Sequence, residues 1–459
     1  MRDPRLAVCL IVATAILGVA PARAQNAAKT ASNAPAAPIA AAFQRYWAAT
    51  DSAAAVQITP EIEKSGVTFD DAWRILRQGR SYTAQPSGVF MLKNRTADDI
   101  EHFYAVNVPA NYDPSKKYQV RFQLHGGIGR TQDNKPRNDG KIGDLAGADG
   151  QFYVLPFAWD HAPWWDNDQV MNLDAIIDSL KRTYNIDENR VVLSGVSDGA
   201  TGTYYIAMRD TTPFASFLPL NGFIMVLGNE EIDDGKIYPN NLVNKPFYVV
   251  NGGKDPLYPA ARVEPFTMHL MQAGVEISYA PQPEGEHNTK WWPDVKGEYE
   301  RFVTEHPRDP NPAKLSWRAG DMQHNRAHWL IIDKFGAAPG EAKTMDDAND
   351  ILVQVPDSDT AAEDTMFGVA QPVGRIDAER KDNTITATTT GVTAFTVLLS
   401  PDVIDFNQPV KIIANGHEVF NARVERSLPT LLKWAAHDND RTMLYAAELH
   451  IDLTHPSER

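Results

Sequence analysis

Short apolar runs closed by turn residues alternate with amphipathic segments through the first two-thirds of the chain. The runs "YQVRFQLHGG" (118–127), "FYVLPF" (152–157), "RVVLSG" (190–195), "SFLPLN" (216–221), "FYVVNGG" (247–253) and "VEISYAPQP" (275–283) have the density of apolar residues that a buried strand requires. Between two of them, "QVMNLDAIIDSLKRTYNI" (169–186) places Met171, Leu173, Ile176, Ile177 and Leu180 at helical spacing. Strands alternating with helices predict an α/β domain, a mostly parallel sheet covered on both faces.

The pattern changes on either side of that region. From Phe43 to Arg80 it is helical, with Phe69, Trp73, Ile75 and Leu76 along one face. After the proline-rich, charged "EHPRDPNPAK" (305–314) only short alternating runs remain: "KLSWRA", "RAHWLIID", "NTITATTTGVTAFTVLLS", "PVKIIANGHEVFNARVE" and "LYAAELHIDL". "IANGHEV" (413–419) has the Asn-Gly signature of a hairpin. Residues 43–312 are therefore expected to form the α/β domain with its helical extension. Residues 313–459 are expected to form an all-β, sandwich-like module, either free-standing or continuous with the first core.

The amino terminus changes the picture of where the chain works. Arg2 and Arg5 precede the apolar "LAVCLIVATAILGVA", and Ala22 and Ala24 in "ARA" suit a signal peptidase, so residues 1–24 read as a secretory signal. Residues 25–42, rich in Ala, Asn, Pro and Thr, read as a tether. The single cysteine, Cys9, lies inside the signal, so the processed chain is expected to hold no disulfide, thiolate metal site or cysteine nucleophile. The formal charge is -15, and about -17 once the signal is removed. Such acidity argues against nucleic acid or anionic lipid as partner. No later stretch is apolar enough to span a bilayer, and the expected location is the bacterial periplasm or exterior.

Candidate chemistry gathers at the strand ends. "GVSDGATG" (195–202) holds Ser197 between Gly195 and Gly199, between an apolar run and a helical segment, as a nucleophile elbow requires. A serine nucleophile needs a base, an acid to orient that base and donors for an oxyanion. In open α/β sheets these collect at the carboxyl ends of strands. Asp255 in "NGGKDPLYP" and His287 in "GEHNTKWWP" follow later strands in the required way; Asp160, Asp166 and Asp294 do not. The competing role for Asp255 is to cap a helix or turn, since Asp-Pro after glycines is ordinary loop chemistry. "LHGGIG" (124–129) ends an early strand, so Gly126 or Gly127 would supply one oxyanion donor and the Asp198 N–H the other. An aspartate beside the nucleophile would repel an oxyanion unless it points away. His125, His324 and His328 read as structural, because no Glu stands between the last two as a metal motif would have it. Trp164, Trp165, Trp291 and Trp292 lie just past strand ends and are expected to wall the substrate pocket, with core packing as the competing role.

These four motifs resemble those of the α/β-hydrolase superfamily, in particular the secreted bacterial esterases grouped with dienelactone hydrolases, phospholipase/carboxylesterases and prolyl-oligopeptidase-type hydrolases. The resemblance covers about residues 104–307. It implies Ser197 as nucleophile, His287 as general base, Asp255 as orienting acid, a small-molecule or saccharide-linked ester as substrate, and no metal or organic cofactor. A peptidase would use the same residues, but nothing before Tyr104 is long enough for the propeller of prolyl-oligopeptidase itself. A third possibility is a polysaccharide-binding protein whose β module is the working part and whose hydrolase half is inert.

Overall fold

The computed structural model describes residues 36–129, 131–132, 150–337, 352–354, 363–365, 367 and 373–454. The signal expected at residues 1–24, and residues 25–35 of the tether, lie outside them. Ala37–Ala42, assigned above to the tether, instead open helix α1 (Ala37–Ala48). The physical reason is that alanine is the best helix former, and Ala42, Phe43 and Tyr46 give this helix a buried face. Helices α2 (Ser52–Lys64) and α3 (Phe69–Gln78) follow, capped by Asp51 and Thr68 through their side-chain oxygens.

Eight strands then build one mixed sheet: β1 (Gly88–Arg95), β2 (Glu101–Val108), β3 (Tyr118–Leu124), β4 (Gln151–Pro156), β5 (Ile186–Val196), β6 (Ser216–Leu220), β7 (Phe247–Val249) and β8 (Ile277–Tyr279). Their order across the sheet is β1-β2-β4-β3-β5-β6-β7-β8. The pairs from β4 through β3 to β8 are parallel, whereas β1 and β2 form an antiparallel hairpin that joins β4 antiparallel. Helices α4 (Asn167–Thr183), α5 (Asp198–Arg209), α6 (Ala260–Gln272) and α7 (Trp292–Glu305) connect or close the parallel part. Two apolar clusters cover the sheet. One runs from Tyr104 through Phe122, Leu193 and Phe247 to Ile176 on α4; the other joins Leu218 and Val250 to Tyr299 and Phe302 on α7. Because β3 and β5 to β8 all run the same way, the loops after them emerge at one edge of the sheet.

Beyond Pro312 come β9 (Lys314–Ala319), β10 (Arg326–Ala327), β11 (Leu330–Phe335), β12 (Leu352–Gln354), β13 (Glu363–Thr365), β14 (Gly374–Lys381), β15 (Thr384–Thr390), β16 (Val392–Leu399), β17 (Val410–Ala414), β18 (His417–Ala422) and β19 (Ala447–Asp452). A five-stranded sheet, β18-β17-β15-β14-β9, and a four-stranded one, β10-β11-β16-β19, share a core that includes Trp317, Ile376, Ile412, Ile332 and Phe395. Asn415 and Gly416 take positive φ in the β17–β18 turn, as the two central residues of an Asn-Gly hairpin must. "RAHWLIID" is not one strand. It folds back at His328, whose φ is 50°, so that Arg326 faces Ile331.

The all-β expectation for this half is corrected by helix α8 (Leu428–Asp438), which Ser427 caps and Pro429 opens. Leu431, Leu432, Ala435 and Ala436 of α8 share a core with Phe43, Ile62 and Leu76, so the amino-terminal helices pack on the carboxyl-terminal half. The four residues 438–441, at and just past the end of α8, tie the parts together. Asp438 takes two bonds from Arg326, at 2.6 and 2.8 Å. Asn439 donates to Asp178 on α4 at 2.9 Å. Asp440 accepts from Arg308 at 2.8 Å, with neither side chain exposed to solvent, and Arg441 grips Glu188 on β5. Burial alone would raise the Asp440 carboxyl, but Arg308 and Lys181 hold it far below the usual carboxylate range. No helix among the described residues is long and apolar enough to cross a membrane.

Candidate active site

Ser197 stands between β5 and α5 with φ 58° and ψ -121°, a conformation that costs a non-glycine residue energy and that its neighbours must enforce. The flanking glycines explain how the turn closes. A Cβ on Gly195 would lie 2.0 Å from the Gly199 carbonyl oxygen, and one on Gly199 would lie 2.3 Å from that of Leu124. Neither position has room for any other residue. The Ser197 N–H donates to Leu220 O of β6 at 3.0 Å, which pins the elbow to its neighbouring strand.

The loops after β7 and β8 bring two further side chains to this serine. His287 Nε2 lies 2.9 Å from Ser197 Oγ, and His287 Nδ1 lies 2.7 Å from Asp255 Oδ2. The imidazole is partly exposed, at 23%, while the Asp255 side chain is wholly buried. Asp255 does both things its residue type suggested. Its Oδ1 accepts the N–H groups of Leu257 and Tyr258 at 2.8 and 2.9 Å, capping the turn, which leaves Oδ2 for the histidine. Half-buried Tyr258 stacks edge-on to His287, centroids 5.8 Å apart. Burial, and then the charges of Asp198 and Asp255, push its phenol up. The sequence reading did not single it out.

Gly126 runs directly against the elbow: a Cβ there would meet Ser197 Cβ at 2.8 Å. Gly127 beside it has φ 66°. The Asp198 N–H opens α5 and is among the donors that a helix leaves without an intrahelical partner. The Asp198 carboxylate is accounted for by Ile128, whose N–H donates to Oδ2 at 3.0 Å. It therefore ties the elbow to the turn after β3. His125 is a strut in that turn. Its Nε2 accepts from Ala158 N–H at 3.1 Å, so the proton sits on Nδ1, 3.0 Å from Gly126 O.

The tryptophans need correction. Trp164 is fully buried, donates to His125 O at 2.8 Å and packs so tightly on α5 that a Cβ at Gly202 would meet it at 2.3 Å. Trp291 and Trp292 are buried in the cluster beneath α7, and Trp291 lies against Gly285 in the histidine loop. These three side chains pack into the protein behind the site and leave almost no ring surface to wall a pocket. Trp165 is half-buried against the main core. His324 and His328 are structural: His328 is buried with its N–H on Thr212, and His324 pairs with Asn167. Among the described residues, no three His, Cys, Asp or Glu side chains are grouped to hold a metal.

No protein-family model matches the chain. It is 26% identical over 227 residues to a bifunctional acetylxylan esterase/xylanase of Neocallimastix patriciarum, covering 46% of this chain and 31% of that protein. It is 28% identical over 156 residues to a probable feruloyl esterase C of Aspergillus terreus, covering 33% of this chain and 57% of that one. The matches thus span about a third and just over half of the relatives' own lengths. Among solved structures, a ferulic acid esterase from the anaerobic fungus Anaeromyces mucronatus is similar, with 16% identity, a TM-score of 0.37, and 49% of this chain and 94% of that one covered. The strand order, the strained elbow, and the succession of serine, aspartate and histidine after β5, β7 and β8 give the chain an α/β-hydrolase fold.

Proposed function

We propose that the protein is a serine hydrolase that cleaves carboxylic esters, with Ser197 as nucleophile, His287 as general base and Asp255 as orienting acid. The observation that carries this reading is the hydrogen-bond chain from Asp255 through His287 to Ser197 Oγ on a strained turn. In this mechanism His287 Nε2 takes the Ser197 proton while Oγ attacks the ester carbonyl carbon. The imidazolium is stabilised by Asp255 and returns its proton to the departing alcohol. Water, activated by the same histidine, then releases the acid from the acyl-enzyme. The tetrahedral oxyanion lies against the Asp198 N–H and the Gly126–Gly127 turn. The substrate class is a small-molecule or saccharide-linked ester; one relative is named an acetylxylan esterase/xylanase and the other a probable feruloyl esterase, which supports this class. Export through residues 1–24 to the periplasm or exterior would bring the enzyme to such substrates.

Turnover of nitrophenyl acetate, methyl ferulate and an aminoacyl nitroanilide by wild type and Ser197→Ala tests this reading. Hydrolysis of one or both esters, lost at least 1,000-fold on the order of known nucleophile deletions in a variant that stays folded, is the expected result. Cleavage of the anilide in preference to both esters would make the protein a peptidase instead.

A further inference from the structure

Resting on that reading, we infer that Asn221 is a positioning residue that holds the acid loop and the histidine loop in register with the nucleophile. It is the first residue past β6, fully buried, with φ 50°. A non-glycine residue at positive φ inside a core is retained only if its side chain is needed there or its surroundings compel it. Here the backbone N–H and both polar atoms of the side chain are directed at the loops that build the site. Its N–H donates to Val250 O at 2.7 Å, at the end of β7. Its Oδ1 accepts from Gly252 N–H at 3.2 Å, three residues before Asp255. Its Nδ2 donates to Asn288 O at 2.8 Å, one residue after His287. The preceding residue, Leu220, accepts the Ser197 N–H.

A single carboxamide therefore bridges the loop that carries Asp255 and the loop that carries His287, from a strand whose end also fixes Ser197. No other residue type supplies this set at this backbone angle. Aspartate tolerates positive φ but has no donor for Asn288 O. Glycine tolerates it but has neither donor nor acceptor. Asn221 touches none of the reacting atoms. It acts by keeping His287 within reach of both partners, where a displacement of about 1 Å can cost on the order of 100-fold in rate.

The test compares wild type, Asn221→Gly and Asn221→Asp. Active serines are counted by titration with a fluorophosphonate, and kcat and KM are measured on nitrophenyl acetate. The glycine variant keeps the backbone angle and deletes the carboxamide. The aspartate variant keeps the shape and the Gly252 bond, and carries the test alone if the glycine variant does not fold. The expected result is a fall in kcat per titrated serine of about 10- to 100-fold with KM within about twofold, since binding is left intact. A merely structural role would lower the melting temperature or the number of active serines and leave kcat per active serine unchanged, and that outcome would overturn the inference while the esterase reading stood. A folded wild type that neither reacts with the fluorophosphonate nor hydrolyses esters would overturn both.

Discussion

The carboxyl edge of the α/β sheet and the joint around residues 438–441 both depend on polar groups taken out of water, but they use them in opposite ways. At the sheet edge the His287 ring is partly exposed while Asp255 and Asn221 are buried, hydrogen bonds link adjacent loops, and positive φ at Ser197 and Asn221 stores strain. At the joint, Arg308 and Asp440 are completely buried and fully paired, and the bonds cross more than a hundred positions of sequence. One region spends conformational energy on geometry and the other spends desolvation on holding parts together. Substitutions at the first should change rate with little effect on stability, and substitutions at the second should do the reverse.

The largest separation is expected from Asp440→Asn. It leaves Arg308 and Lys181 buried without their counter-charge and should destabilise the fold by about 3–5 kcal/mol. Denaturant unfolding measures that loss, and ester turnover by the folded fraction should stay within about twofold of wild type. Asp198→Ala should act the other way. With the acceptor for Ile128 N–H removed, the turn carrying Gly126 and Gly127 loosens, and kcat should fall about tenfold while the melting temperature moves by no more than about 2 °C. A comparable loss of rate and stability in either variant would mean that the two regions are not separate.

The smallest effect is a pH dependence. Burial, followed by the charges of Lys245 and Arg308, holds His328 well below the usual histidine range. Burial also lowers His102 and His324. The unfolded chain, in which these histidines titrate near an ordinary value of about 6.5, therefore binds more protons than the folded one below that pH. The share of stability these histidines contribute should be full above about pH 6.5 and fall as the pH drops toward 5. His328→Asn, which tolerates the positive φ, should flatten this slope by about one proton's worth when unfolding free energy is followed from pH 7 to 5. An unchanged slope would remove His328 from the account.

What could be read from the sequence follows the same division. The six central strands were legible because each is a short run dense in apolar residues closed by turn residues, and Ser197, Asp255 and His287 were legible because each follows such a strand in a fixed order. The β1–β2 hairpin was not seen. Its first strand is half-exposed along most of its length and ends in charged residues, so it carries no clean alternation. Helix α8 did have a signal, Ser427 and Pro429 ahead of Leu431, Leu432 and Ala435, but runs of strand pattern on both sides masked it. The tryptophans misled because position past a strand end does not tell which way a ring turns, and Trp164, Trp291 and Trp292 turn inward. Asn221 left no trace, since a lone asparagine before a glycine looks like any turn until the loops it bridges are in place.

Everything proposed for the site requires Ser197 Oγ as the reacting atom. Purified protein treated with a fluorophosphonate, digested and analysed by mass spectrometry, gives that answer directly. The expected result is one adduct per chain, on Ser197 within "GVSDGATG", and none in Ser197→Ala. An adduct on another residue, or none on folded wild-type protein, would contradict it.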